Sequence, residues 1–103
     1  MIGNDVVINK RVLLDGRGGT LRIGNHVDIA QETIIWTLGH DVNGLKHDSW
    51  GGDTTISDYV WIGARSTIMP GITMLTPQMI IIRLTIDKIN LKRIFLTLFL
   101  DNL

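Results

Sequence analysis

The chain has 103 residues, of which 45% are hydrophobic and 19% charged, a balance that suits one folded domain and excludes general disorder. Ten Lys and Arg offset ten Asp and Glu with no basic block, which argues against a nucleic-acid footprint, and the absence of cysteine excludes disulfides, thiolate metal sites and a thiol nucleophile. Met1 leads into an aliphatic repeat rather than a charged stretch and a long apolar run, so no signal peptide is expected and a cytoplasmic location is the default.

From the N-terminus onward, aliphatic residues recur at every sixth position. Ile2, Ile8 and Leu14 form one run, Ile23, Ile29 and Ile35 a second, and Ile56, Ile62 and Ile68 a third, which Met74 extends by one step. Neither an amphipathic helix nor an alternating strand has this period; a parallel β-helix does. The next residue in each hexad is often glycine or small and polar, as at Gly3, Gly24, Ser57 and Gly63, and these positions are expected to turn the corners. Four residues after each aliphatic one comes a second inward candidate: Val6, Val12, Val27, Thr33, Val60, Ser66 and Ile72. These are small or β-branched, as short strands prefer. Three hexads make one triangular coil, and because no coil buries its apolar face alone, about three to four coils must stack into an all-β fold.

Two breaks in the step are expected to leave the stack as loops. The first, between Leu14 and Ile23, carries Asp15-Gly16-Arg17-Gly18-Gly19 and predicts a bulge or tight loop. The second, between Ile35 and Ile56, is polar, glycine-rich and holds two of the three histidines, so residues 38–54 are the expected catalytic loop. The hexads are expected to end at Met74, with Thr76-Pro77 marking a boundary between a β-helix over 1–74 and a divergent tail over 75–103. In that tail Ile80, Ile82, Leu84 and Ile86 alternate with Ile81, Arg83, Thr85 and Asp87, which predicts a strand, whereas Lys88 to Leu100 permits a helix with Ile89, Lys92, Arg93 and Leu96 at helical spacing. Arg83, Asp87, Lys88, Lys92 and Arg93 interrupt the run, so core packing or a subunit contact is expected in place of a membrane span.

The segments Ile23-Gly24-Asn25-His26-Val27-Asp28-Ile29-Ala30, Thr37-Leu38-Gly39-His40-Asp41, Ile56-Ser57-Asp58-Tyr59-Val60-Trp61-Ile62-Gly63-Ala64 and Ile68-Met69-Pro70-Gly71-Ile72 occur in that order. Together they resemble the hexapeptide-repeat acyltransferases, and within them the sugar and polysaccharide O-acetyltransferases. The resemblance covers residues 2–74. It implies a left-handed parallel β-helix that forms a homotrimer, with acetyl-CoA as co-substrate in the groove between subunits, no metal, and an acetyl group passed to a hydroxyl of a sugar or polysaccharide precursor. By motif position His40 is the general base. An alcohol is a weak nucleophile at neutral pH, and an imidazole can take its proton as it attacks the thioester. The same correspondence gives Trp61 a place against the cofactor's thioester channel and gives the backbone N–H of Ala64 the role of oxyanion donor, worth typically about 2.7–4 kcal/mol of transition-state stabilisation.

Asn9, Asp15 and Arg17 are candidate contacts to the acceptor, with ordinary turn chemistry as the competing reading. Asp41, next to His40, is a candidate to orient its imidazole, and Trp36 and Trp50 offer aromatic faces to a sugar or anchors to the loop. His47 reads as a loop residue and His26 as solvent-facing. The family's later motifs, further Ile-Gly hexads, a Gly-Ala-Gly-Ser stretch, a Thr-Lys pair and an Asn-Pro-Ala turn, are not recognisable after Met74. Two other expectations therefore stand beside the enzyme: a truncated trimeric scaffold that no longer binds CoA, and a zinc enzyme using His40 and His47 with a histidine from another subunit.

Overall fold

A computed structural model describes residues 1–41, 43–74, 79–80 and 85–86. These form short strands, with no helix among the described residues. In chain order the strands are β1 (Val7–Ile8), β2 (Leu13–Leu14), β3 (Leu21–Ile23), β4 (Asp28–Ile29), β5 (Ile34–Ile35), β6 (Leu38–His40), β7 (Ser49–Gly51), β8 (Thr54–Ile56), β9 (Trp61–Ile62), β10 (Thr67–Ile68), β11 (Thr73–Met74), β12 (Met79–Ile80) and β13 (Thr85–Ile86).

Eleven of them pair in parallel in three ladders, β1-β4-β9-β12, β2-β5-β10-β13 and β3-β8-β11, which the chain visits in turn. The register puts Ile8, Ile29, Ile62 and Ile80 in one column and Leu14, Ile35, Ile68 and Ile86 in the second. A bridge from Ile2 to Ile23 begins the third, which runs on through Ile56 to Met74. Residues six apart along the chain thus occupy successive ladders, and equivalent residues of successive coils lie one above another, a β-helix-like arrangement. The step expected to end at Met74 continues: Ile80 pairs with Ile62 and Ile86 with Ile68. Ile82 and Leu84 of the expected tail strand, and the expected helix over Lys88 to Leu100, lie outside the described residues.

Both inward sets of the hexad fill the core. Ile23, Ile29, Ile35, Ile56, Ile62, Ile68 and Met74 are buried, together with Val27, Val60 and Ile72. Each such side chain contributes about 1.5–3 kcal/mol when taken wholly out of water. The two polar members of the second set are satisfied, because Thr33 Oγ1 and Ser66 Oγ donate to the Gly63 carbonyl at 3.1 and 2.8 Å. Among the described residues the first coil has a neighbour on one side only, so Ile8 is 40% exposed while Ile29 above it is fully buried.

Corners are turned three residues after the aliphatic position. Asp5, Arg11, His26, Glu32, Tyr59, Arg65 and Gly71 all have positive φ, one in every uninterrupted hexad of the described residues. The left-handed conformation costs a non-glycine residue about 1–2 kcal/mol. It also keeps the corner in the ladder: the N–H groups of His26, Glu32, Tyr59 and Arg65 donate to Asn4, Lys10, Asn25 and Gln31 of the neighbouring coil at 2.9–3.1 Å. The glycine one residue after the aliphatic position serves a different need. At Gly24 a Cβ would meet the Asp58 carboxylate and lie 2.8 Å from the Asp58 backbone nitrogen, so glycine there permits coils to approach.

Candidate functional site

Both breaks in the hexad step open at one corner, where the chain leaves the β2-β5-β10 ladder for β3-β8-β11. In the first coil the break is the short loop from Asp15 to Thr20. One coil further it is an antiparallel hairpin of β6 and β7, pairing Leu38 with Gly51, Gly39 with Trp50 and His40 with Ser49. The third coil rounds the corner through Met69, Pro70 and Gly71.

Close approach holds these layers together. A Cβ at Gly18 would strike the Thr37 carbonyl and one at Gly51 would strike the Gly18 carbonyl, so the hairpin root lies directly on the glycines of the loop. Two buried threonines fasten it. Thr37 Oγ1 donates to the Asp15 carbonyl at 2.8 Å and accepts from the Gly18 N–H at 3.1 Å, while Thr54 Oγ1 donates to the Trp36 carbonyl at 2.8 Å and accepts from the Gly71 N–H at 3.2 Å. Each buried hydroxyl therefore donates and accepts, leaving little polar capacity unmet.

His40 ends β6. Its Nδ1 lies 3.0 Å from the carbonyl oxygen of His47, and a carbonyl only accepts, so Nδ1 carries the proton and the neutral ring keeps its lone pair on Nε2. Trp50 Nε1 donates to the His40 carbonyl at 3.2 Å, which anchors the backbone of the same residue. Asp41 does not orient the imidazole by this route: its Oδ1 accepts from the Asn43 N–H at 2.9 Å, and its own N–H donates to the Asp48 carbonyl at 2.8 Å. The carboxylate instead closes the turn beyond the strand. His47, at φ 51°, is a loop residue as expected and supplies a backbone oxygen rather than an imidazole.

Two cavities flank this strand. One, of about 350 Å³, is lined by Arg17, Trp36, Leu38, Gly39, His40 and Met69; the other, of about 450 Å³, shares Gly39, His40 and Met69 and adds Asp41, Asn43 and Trp50. Both sizes fall within the ordinary range for small-ligand pockets. A shallower groove of about 500 Å³ runs along β3-β8 past Met1, Arg22, Thr55 and Asp58. It contains no histidine, and an oriented imidazole makes the hairpin corner the better candidate.

Of the proposed acceptor contacts, Asp15 and Arg17 come to this corner. Asp15 is 6% exposed and accepts from Arg17 Nε through Oδ1 and from the Thr37 N–H through Oδ2 at 3.3 Å. The Arg17 bond holds its carboxyl below the ordinary range, aided by Thr37 and opposed by burial. Asn9 lies after β1, away from both cavities, and its Nδ2 donates to the Ile29 carbonyl at 2.9 Å in a coil-to-coil turn contact. Trp61 stands half-exposed on the outer side of β9, and Ala64 follows at the next corner; neither lines the cavities beside His40 within one chain. His26 stacks on Tyr59 at 4.9 Å between ring centroids and lies 3.6 Å from an Asp5 carboxylate oxygen, a solvent-side contact along one corner.

Residue types alone did not single out Thr37, Thr54 or Met69. The position of the breaks was a usable signal, since both follow the third aliphatic residue of a coil and must therefore share a corner. Among the described residues no group of three or more His, Cys, Asp or Glu is arranged to hold a metal ion. No helix among the described residues is long and apolar enough to cross a membrane. No family model and no solved structure matches the chain.

Proposed function

We propose that the chain is an acetyl-CoA-dependent O-acetyltransferase, acting on a hydroxyl of a sugar or polysaccharide precursor in the cytoplasm. The carrying observation is the Nδ1 contact of His40 with the His47 carbonyl, which leaves Nε2 as the proton acceptor of a residue that lines two cavities. In the reading, Nε2 removes the acceptor hydroxyl proton as the oxygen attacks the thioester carbonyl carbon. The tetrahedral intermediate collapses by breaking the carbon–sulfur bond, the thiolate takes the proton back from Nε2, and acetyl ester and free thiol leave. No covalent enzyme intermediate and no metal are needed.

The family resemblance supplies the rest of the assembly: a left-handed coil, a homotrimer, and acetyl-CoA lying between subunits. Trp61 and Ala64 are separate from the His40 cavities within one chain, which suits a site completed by the Trp61 and Ala64 surface of a neighbouring subunit. The Ala64 N–H would then stabilise the oxyanion, a role indifferent to the side chain.

A thiol-release assay with acetyl-CoA and a panel of sugar acceptors tests the reading. Acceptor-dependent release is expected, falling by about 10²–10⁴-fold in His40→Ala, as for other general bases. Absence of release, or release unchanged in His40→Ala, would overturn it. A second reading, a trimeric scaffold without catalysis, is favoured by the lack of the family's later cofactor motifs after Met74. Calorimetric detection of tight CoA binding would decide against the scaffold.

A further inference from the structure

The smaller of the two His40 cavities contains a cation prepared for a ligand. The Arg17 side chain is 67% exposed, whereas the Asp15 side chain that holds it is 5% exposed. Their bond uses Nε, so the guanidinium is gripped from the side, and among the described residues its terminal Nη pair makes no hydrogen bond. Asp15 is fully engaged, with Oδ1 on Arg17, Oδ2 on the Thr37 N–H and its carbonyl on the Thr37 hydroxyl. A guanidinium held in this way loses little further freedom on binding, and its planar fork matches a carboxylate in two parallel hydrogen bonds. The remaining lining carries no carboxylate: Trp36, Leu38, Gly39 and Met69 are apolar or aromatic surface, and His40 is the proposed base.

We infer that Arg17 makes this cavity selective for a carboxylate-bearing saccharide, a hexuronate in place of a neutral hexose, with the acid on the guanidinium and the sugar ring against Trp36 and Met69. The inference rests on His40 marking the acceptor side of the proposed transferase, and it narrows the acceptor class. A guanidinium fork binds a carboxylate or a phosphate in the same two-bond geometry, but the charge of Arg17 is already shared with the Asp15 carboxylate, which suits a monoanion better than a dianion. If Arg17 were only a brace for Asp15, its terminal nitrogens would have no part in recognition.

Binding distinguishes these possibilities without turnover. The full chain, Arg17→Gln and Arg17→Lys are titrated with methyl glucuronide and with methyl glucoside, and dissociation constants are read by ligand-observed NMR. The wild type should bind the glucuronide at least about tenfold more tightly than the glucoside, the gain of a charge-assisted bidentate pair over neutral hydrogen bonds. Arg17→Gln should lose that preference. Arg17→Lys keeps a cation beside Asp15, so it guards against misfolding in Arg17→Gln, and it should lose most of the preference because a point charge replaces the fork. Equal affinities in the wild type, no binding of the glucuronide, or a preference unchanged in a folded Arg17 variant would overturn the inference. Since binding is read without turnover, failure of the base reading in the thiol assay remains distinct from failure here.

Discussion

Gly24 and Gly16 show how differently one residue type is used along this chain. At Gly24 a Cβ would collide with the Asp58 carboxylate and the backbone at 57–58, with contacts down to 2.8 Å even to main-chain atoms, whereas at Gly16 nothing lies within 4 Å. Gly24→Ala should therefore destabilise the fold by about 1–3 kcal/mol, the usual penalty of overpacking. Gly16→Ala should change stability by less than about 1 kcal/mol. Urea unfolding of the two variants checks this, and equal midpoints would contradict the assignment of Gly24 to coil spacing. The composition exposes the glycines but not these separate reasons. Gly18 and Gly51 were legible as loop residues, yet their mutual approach, which seats the hairpin on the first-coil loop, depends on residues far apart in sequence meeting at one corner. The role of Asp41 was open in the sequence for a related reason. Adjacency to His40 suggested a partner, but the loop turns its carboxylate onto the Asn43 N–H, and the imidazole finds the His47 carbonyl.

At the scale of elements, the hexad step gave the strands and their columns, while the corners were placed two residues early. Glycine after the aliphatic position looked like turn chemistry, but among the described residues the turning positions are Asp5, Arg11, His26, Glu32, Tyr59 and Arg65, with glycine only at Gly71. Stacking favours these larger residues because side chains at equivalent corners meet between coils. Glu32 accepts from Arg11 Nη2 at 3.1 Å and from Arg65 Nε at 3.0 Å, joining three coils along one corner. The bond from Arg65 holds the Glu32 carboxyl below its ordinary range, opposed next by burial and aided in turn by the charges of Arg65 and Arg11. Because the folded value is the lower one, this ladder stabilises fully above the unfolded glutamate pKa of about 4.3 and is lost as pH falls through the folded value. The melting temperature of Glu32→Gln should therefore lie below that of the wild type near neutral pH, and the gap should shrink in acid. A gap constant from about pH 7 to about pH 3 would contradict the ladder's role; exposure keeps it modest and salt-sensitive.

Across the whole molecule, the stack converts a one-dimensional repeat into a rigid edge from which one hairpin projects. Every coil reaches the site corner at the same phase, so an insertion after the third aliphatic residue of any coil emerges beside its neighbours. The loop at Asp15 and Arg17, the hairpin at His40 and the bend at Met69 are three layers of that single arrangement. Ile80 and Ile86 extend two of the columns, although the continuous Ile80-Ile81-Ile82 run and the lack of glycine concealed their phase in the sequence. What the sequence could not disclose was the neighbour that fixes the histidine. That neighbour bears on the central claim, that the hairpin presents Nε2 of His40 as a base. Long-range proton–nitrogen correlation of the imidazoles in labelled protein, with His40→Gln as the assignment control, reads the tautomer directly. The predicted result is a protonated, pyrrole-type Nδ1 and an unprotonated Nε2 in the neutral ring; a neutral His40 with its proton on Nε2 would contradict the claim.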